Sequence, residues 1–475
     1  MSDRRRRGGA QCSLEPDRAT RPHVRQPAPF STCVTHADAR PRCSTVDGMA
    51  SIREAFDAFA PHMRRRPDVE AHDLVAADVS DRLILESAGL DRPEFAHEGS
   101  PSREAGRPEH PDTPPATSRV GSLVVVGDRY GALALPLAAV GLRVLVHQDA
   151  LSGERAARLN AVAVGLAQAS DADSIAVPGV SWHPLDAELF AGATLVLMQL
   201  PRSLGALDEI AGLIAGHADP AVRVVAGGRV KHMTSAMNGV LARHFATVTA
   251  DRGVGKSRVL RASEPRAGTG ESAARAWPRA ERDQETGLTI CAHGAAFAGA
   301  GVDIGTRLLL SVLDQAPEAS RVIDLGCGTG VLAVSYARAH PAARVIATDQ
   351  SAAAVASASA TAMANDVAAP CESAPHAPFG PHGVVVVRDD GLGGQSDASA
   401  DLILLNPPFH SGAAVTGRIA PRLFADAARV LRPGGELWCV WNSHLRYRPQ
   451  LEASVGTTRQ IVRDPKFTVT ASVRT

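Results

Sequence analysis

Neither sign of charge is in excess: the 475-residue chain sets 50 Lys and Arg against 50 Asp and Glu. A neutral chain has no global field to gather nucleic acid, so any basic binding surface must be local. Lysine is nearly missing. Lys231, Lys256 and Lys466 are its only instances, and arginine carries the rest of the positive charge. Cysteine is sparse and scattered: Cys12, Cys33, Cys43, Cys291, Cys327, Cys371 and Cys439 form no CxxC pair and no Cys/His spacing suited to zinc. That pattern reads as unpaired thiols in a reducing cytosol, and no metal site is expected. Long hydrophobic runs are also wanting. The nearest, "GALALPLAAVGLRVLV", is broken by Pro136 and Arg143 and falls short of the ~20 residues a spanning helix requires. The N-terminal "MSDRRRRGGAQCS" has no apolar segment behind its arginines, so it is not expected to be a secretory signal. A cytoplasmic protein with no membrane partner is the expectation.

A hydrophobic share of 45% over this length leaves room for two or three domains with sizeable cores. Residues 1–48 are rich in Arg, Pro and Ser without a hydrophobic period; the expectation is a disordered extension over 1–66, with Met49 as an alternative start. A polar, Pro-rich insertion at about 91–118 reads as a long loop. Two similar halves follow. "SLVVVGDRYG" and "LRVLVHQD" in the first parallel "RVIDLGCGTG" and "ARVIATDQ" in the second, and "ATLVLMQLPRS" parallels "ADLILLNPPFH". β-Branched strands alternating with Ala-rich helices predict mostly parallel α/β sheets. The halves are placed at 67–265 and 284–475, joined by a polar linker at 266–283.

In "VIDLGCGTGVLAVSYA", Gly326, Gly328 and Gly330 lie between a strand and a helix. Glycines there allow a tight turn and a close approach of a ligand to backbone amides. Val331 breaks the GxGxxG dinucleotide fingerprint. Asp324 precedes the turn, and Asp349 ends the next strand, where an acid accepts hydrogen bonds from both hydroxyls of a ribose. The corner "NPPF" ends a further strand, and parallel sheets bind ligands at that edge. The side-chain oxygen of Asn406 and the carbonyl of Pro407 offer two acceptors to one planar NH2 group, Pro408 stiffens the turn, and Phe409 offers a face for a flat ring.

With those residues in view, the chain resembles class I S-adenosylmethionine-dependent methyltransferases carrying an Asn-Pro-Pro-aromatic motif. It is most similar to the ribosomal RNA guanine-N2 methyltransferases, which place a degenerate methyltransferase domain ahead of an active one. The likeness runs over roughly residues 70–475 and includes "GLTICAHGAAFAGAGVDIGTRLLL", "NPPFH" and "LRPGGELWCVWNSHLRYRPQLEASVG". "LPRSLGALDEIAGLI" and "NSHLRY" lean towards the large-subunit type. The resemblance implies two tandem Rossmann-like domains, S-adenosylmethionine as cofactor, and methyl transfer to the exocyclic N2 of a guanine. Asp324, Gly326, Gly328, Gly330, Asp349 and Asp390 would hold the cofactor, with Asp389 a rival to Asp390. Asn406, Pro407 and Phe409 would hold the base, with Pro408, His444 and Tyr447 lining the substrate side. Ribosomal RNA or a ribosomal subunit particle is the expected partner of a monomeric enzyme.

The first half departs from the pattern: Arg129 stands where Gly328 does, Gln148 replaces Asp349, and "QLPR" replaces "NPPF". It reads as catalytically dead. Its residues 222–261 carry Arg223, Arg229, Lys231, Arg243, Arg252, Lys256, Arg258 and Arg261 against Asp251 alone. Arg229, Lys256 and Arg258 are candidate phosphate contacts there. "GVGKS" is no P-loop, because Ala250 occupies the place of the first glycine. Two other functions remain open at this point: a protein glutamine N5-methyltransferase, whose substrate presents the same planar NH2, and a non-catalytic RNA-binding ribosome assembly factor.

Overall fold

The computed structural model describes residues 51–71, 74–90, 122–268, 276–369, 382–408 and 413–475, with side chains in the last stretch from 419 onward. The expectations for residues 1–48, for the insertion at about 91–118 and for Phe409 therefore lie outside the described residues.

Two seven-stranded sheets with one and the same strand order carry the fold. The first contains β1 (Ser122–Val126), β2 (Val144–His147), β3 (Val180–Trp182), β4 (Ala193–Gln199), β5 (Arg223–Arg229), β6 (Phe245–Ala250) and β7 (Ser257–Pro265), ordered β3-β2-β1-β4-β5-β7-β6. A hairpin, β8 (Arg279–Arg282) with β9 (Thr289–Ala292), follows it. The second sheet contains β10 (Arg321–Leu325), β11 (Arg344–Asp349), β12 (Gly383–Arg388), β13 (Ala400–Leu405), β14 (Leu431–Asn442), β15 (Thr458–Arg463) and β16 (Phe467–Val473), ordered β12-β11-β10-β13-β14-β16-β15. In each sheet the first five strands of that order are mutually parallel, and the sixth runs antiparallel to both its neighbours.

Central strands are apolar along their whole length because helices cover both faces. β13 is buried at every position, and its register against β10, Leu325 opposite Leu405, brings the two strand ends to one edge. Each sheet has a core on either face. In the second half Tyr336, Trp438 and Val469 pack on one side, Phe424, Trp441 and Tyr447 on the other.

The expected extension over 1–66 needs correction at its end. Ser51 caps a helix, Ile52–Phe59, whose Ile52, Ala55, Phe56 and Phe59 are buried and join Met63 in the first core. That spacing is a helical period, hidden in the sequence by the arginines and proline that follow. The expected linker is also not wholly unstructured, since β8 falls inside it. Among the described residues no helix is long and apolar enough to cross a membrane.

Candidate active site

The glycine turn between β10 and helix Val331–Ala339 is tied to the neighbouring strand. The amides of Gly326 and Cys327 donate to the carbonyl of Thr348 at 2.8 and 2.9 Å. All three glycines have positive φ, +71° at Gly326, +54° at Gly328 and +77° at Gly330, a region closed to most L side chains. Their surroundings differ. A Cβ on Gly330 would stand 2.9 Å from the Cβ of Ala358, so this glycine lets helix Val331–Ala339 press against helix Ala352–Ala364. A Cβ on Gly326 or Gly328 would meet nothing within 4 Å. Those two line open space at the edge of the sheet.

Asp349 closes that space. Its Oδ2 accepts from the amide of Gly328 at 3.0 Å and its Oδ1 from the amide of Ser351 at 2.9 Å. A carboxylate offers about four lone-pair sites, so two remain for ribose hydroxyls. Burial raises its pKa above the ordinary range, and the two amides oppose that shift. The open turn and this half-used acid fit the nucleoside of S-adenosylmethionine.

Two of the expected cofactor carboxylates are largely covered. Asp324 is 1% exposed, and its Oδ2 accepts from the amide of Ala333 at 3.0 Å. A side chain so covered supports the turn from beneath rather than touching a ligand. Burial pushes its pKa up to about 7. Asp390 is likewise turned inward: Arg422 Nη2 lies 2.8 Å from its Oδ2 and also donates to its carbonyl. Its rival Asp389 accepts from the amide of Gly394 at 2.9 Å.

Asn406 follows the last residue of β13 and is half-buried. Its Nδ2 donates to Asp303 Oδ2 at 3.0 Å and to Thr306 Oγ1 at 2.9 Å. Asp303 caps helix Ile304–Leu310 with the same oxygen, accepting from the amides of Gly305 and Thr306. Both donor hydrogens of the amide are thus spent, and a flipped amide would set its oxygen against the Asp303 carboxylate. The orientation is forced. Asn406 Oδ1 is buried and has no hydrogen-bond partner among the described residues. Pro407 is buried and Pro408 exposed. Asp303 and Thr306 carried no role in the sequence reading; the capping signal "VDIGT" ahead of an apolar run was the available sign.

The other substrate-side residues divide. His444 is exposed in the turn after β14, at the edge that carries Asn406. Tyr447 is a core residue, 4% exposed, edge-on to Phe424 with ring centroids 5.5 Å apart. Its ring packs helix Ala413–Val430 against the sheet and lines no substrate surface. Of the basic residues in the first half, Arg229 is paired with Asp78 at 3.0 Å, Arg243 with Asp208 at 2.7 Å and Arg261 with Asp251 at 3.0 Å. Arg223 leans on the carbonyl of Ala88. Arg229 is thereby already paired, whereas Lys256 and Arg258 are exposed and have no ion-pair partner among the described residues. Among the described residues no group of three or more His, Cys, Asp or Glu is arranged to hold a metal ion.

Comparisons with known proteins cover both halves of the chain. Residues 287–471 match the family model of the methyltransferase small domain, and residues 56–266 that of the RLMG N-terminal domain. The chain is 34% identical over 359 residues to the ribosomal RNA large subunit methyltransferase G of Streptomyces coelicolor, covering 74% of this chain and 88% of that protein. It is also 34% identical over 352 residues to the protein of the same name from Pseudomonas aeruginosa, covering 73% and 86%. A T. thermophilus 16S rRNA N2 methyltransferase, solved with AdoMet and guanosine, superposes with a TM-score of 0.57 at 23% identity over 75% of this chain and 89% of that one. At that identity the superposition speaks for the fold.

Proposed function

Because this chain belongs to the ribosomal RNA large subunit methyltransferase G family, we propose that it transfers the methyl group of S-adenosylmethionine to the exocyclic N2 of a guanine in large-subunit ribosomal RNA. The observation that carries the reading is Asn406 Oδ1, a buried acceptor held in one orientation with no partner of its own. S-adenosylmethionine, when bound, supplies an electrophilic methyl on a sulfonium. The chain's own task is to position the amine. Asn406 Oδ1 takes one N–H of the guanine amine, so that the amine is fixed beside the open glycine turn and its lone pair is directed there. Preorganisation of this kind needs no movement of the acceptor at the moment of reaction. Gly326 and Gly328 leave room for the cofactor, and Asp349 receives its ribose. Phe409 stacks on the guanine, which must leave the RNA stack to reach Asn406. Lys256 and Arg258 meet phosphates from the N-terminal domain. A cytoplasmic monomer is part of the same reading.

Mapping of methylated nucleosides in ribosomal RNA from a strain lacking the gene tests it. One N2-methylguanosine of the large-subunit RNA should vanish, return with the wild-type gene, and stay absent with Asn406→Ala. An unchanged map would overturn the proposal.

A further inference from the structure

The two halves meet through the ends of equivalent strands. Across the end of β2 the chain reads His147-Gln148-Asp149-Ala150-Leu151; across the end of β11 it reads Thr348-Asp349-Gln350-Ser351-Ala352. Ala150 and Ser351 form an isolated antiparallel bridge. The amide of Leu151 donates to the carbonyl of Gln350 at 3.0 Å, and the amide of Ala352 returns a bond to the carbonyl of Asp149 at 2.9 Å. The side chains repeat the exchange. Ser152 Oγ donates to Gln350 Oε1 at 2.7 Å, while Asp149 Oδ1 accepts from Ser351 Oγ at 3.0 Å and from the amide of Ala353 at 2.9 Å. Such reciprocity is the mark of a two-fold contact between like surfaces, here between two copies fused in one chain.

This seam adjoins the cofactor site. Ser351 caps helix Ala352–Ala364, accepting from the amide of Ala354, and its own amide holds Asp349 Oδ1. Asp349 holds Gly328 in turn. One strand further out, Arg388 ends β12 opposite Asp349. Its guanidinium donates to the carbonyls of Gln148 and Asp149 at 2.8 and 3.0 Å and pairs with Glu154 at 3.1 Å. The ends of both β11 and β12 are therefore bonded to the N-terminal half.

We propose that the N-terminal domain is a positioning partner of the cofactor site, with Asp149 as the residue that sets Ser351 and, through it, the Asp349 carboxylate. This rests on the reading of Asp349 as the ribose acceptor. It gives the substitution of Gln148-Asp149 for the acid-first order of Asp349-Gln350 a physical sense. The acid of the first half lies one residue on, where it reaches across the seam and caps a helix of the second half.

The test is binding of S-adenosylmethionine by calorimetry, beside RNA binding and steady-state kinetics, on the full chain. Asp149→Ala removes two accepted hydrogen bonds and should raise the dissociation constant for S-adenosylmethionine about tenfold. KM for S-adenosylmethionine should rise with it, while kcat at saturation and RNA affinity stay within twofold. Asp149→Asn keeps Oδ1 and should restore wild-type affinity. Glu209→Gln loosens another contact between the halves, where Glu209 receives His293 and the amide of Gly294, and should leave affinity for S-adenosylmethionine unchanged. If Asp149→Ala does not fold, Ser351→Ala carries the test, since it removes the hydroxyl that Asp149 receives; a rise of severalfold supports the proposal and no rise overturns it. Wild-type affinity in Asp149→Ala, or an equal loss in Glu209→Gln, overturns the proposal alone. A wild-type chain that binds no S-adenosylmethionine overturns both it and the methyltransferase reading.

Discussion

At the carboxyl end of β13 Asn406 Oδ1 is buried without a partner while its Nδ2 donates to Asp303 and Thr306; at the same place in the first sheet Gln199 Nε2 likewise donates twice, to Ser80 and Asp81 of helix Val79–Ala88. At the end of β11 Asp349 is half-buried beside open space; at the end of β2 Gln148 is 6% exposed and lies against Gly153, whose added Cβ would stand 2.6 Å from its Nε2. The outer glycines of the turn are common to both halves, with φ of +78° at Gly127 and +86° at Gly131. The backbone fold needs them whether or not a ligand is bound. What separates the halves is the content of the crevice, and the first half has filled its own from within. Arg129 is exposed and does not by itself plug the turn. Gln148 does that. One internal bond has migrated: the amide of Ala134 is received by Asp128 in the first half, and the matching amide of Ala333 by Asp324 in the second.

Replacement of the paired residues should separate the halves most. Asn406→Ala is expected to lower kcat by about 10²-fold or more with cofactor affinity within a few-fold, while Gln199→Ala leaves kcat near wild type. Single-turnover methylation of the RNA measures both, and a loss in Gln199→Ala as large as in Asn406→Ala would break the distinction. Asp349→Gln imports the residue of the dead crevice and should weaken S-adenosylmethionine by about tenfold or more. The converse, Gln148→Asp, should create no second site, and titration stoichiometry should stay near one per chain. Two sites would show that the first half is not closed.

Charge reversal of Lys256 and Arg258 should weaken RNA binding several-fold at moderate salt and reduce the salt slope by about two, one for each phosphate no longer neutralised. Reversal at Arg229 should do less, since Asp78 already holds it; binding assays at three salt concentrations discriminate the cases. The smallest effect concerns stability. Burial raises Asp324 and Asp81 to about 7 and Asp128 to about 6, against 3.8 in an unhindered carboxyl. Over that interval the folded chain holds protons that the unfolded chain has released, so stability should fall as pH rises from about 4 to about 7. Asp324→Asn should flatten the fall by on the order of 1 kcal/mol in urea denaturation, and Asp128→Asn should act similarly from the other half. A slope unchanged by both would place the titrating groups elsewhere.

Residue order alone settled the duplication, the mostly parallel sheets and the glycine turn. Each rests on a short-range requirement: strands buried on two faces must be continuously apolar, and a tight turn needs positive φ. The helix Ile52–Phe59 escaped notice because its buried side chains acquire meaning only against the first core. Asp324 and Tyr447 lie more deeply covered than the sequence suggested, for the converse reason. A sequence shows that an acid or a phenol is present, but whether it faces a ligand or a neighbouring helix depends on what packs over it. The partners of Asn406 lie 103 and 100 residues away, and Asp149 meets Ser351 across 202. No local pattern spans those distances. Hydrogen bonds act over about three ångströms, and only the closed chain brings such residues that near.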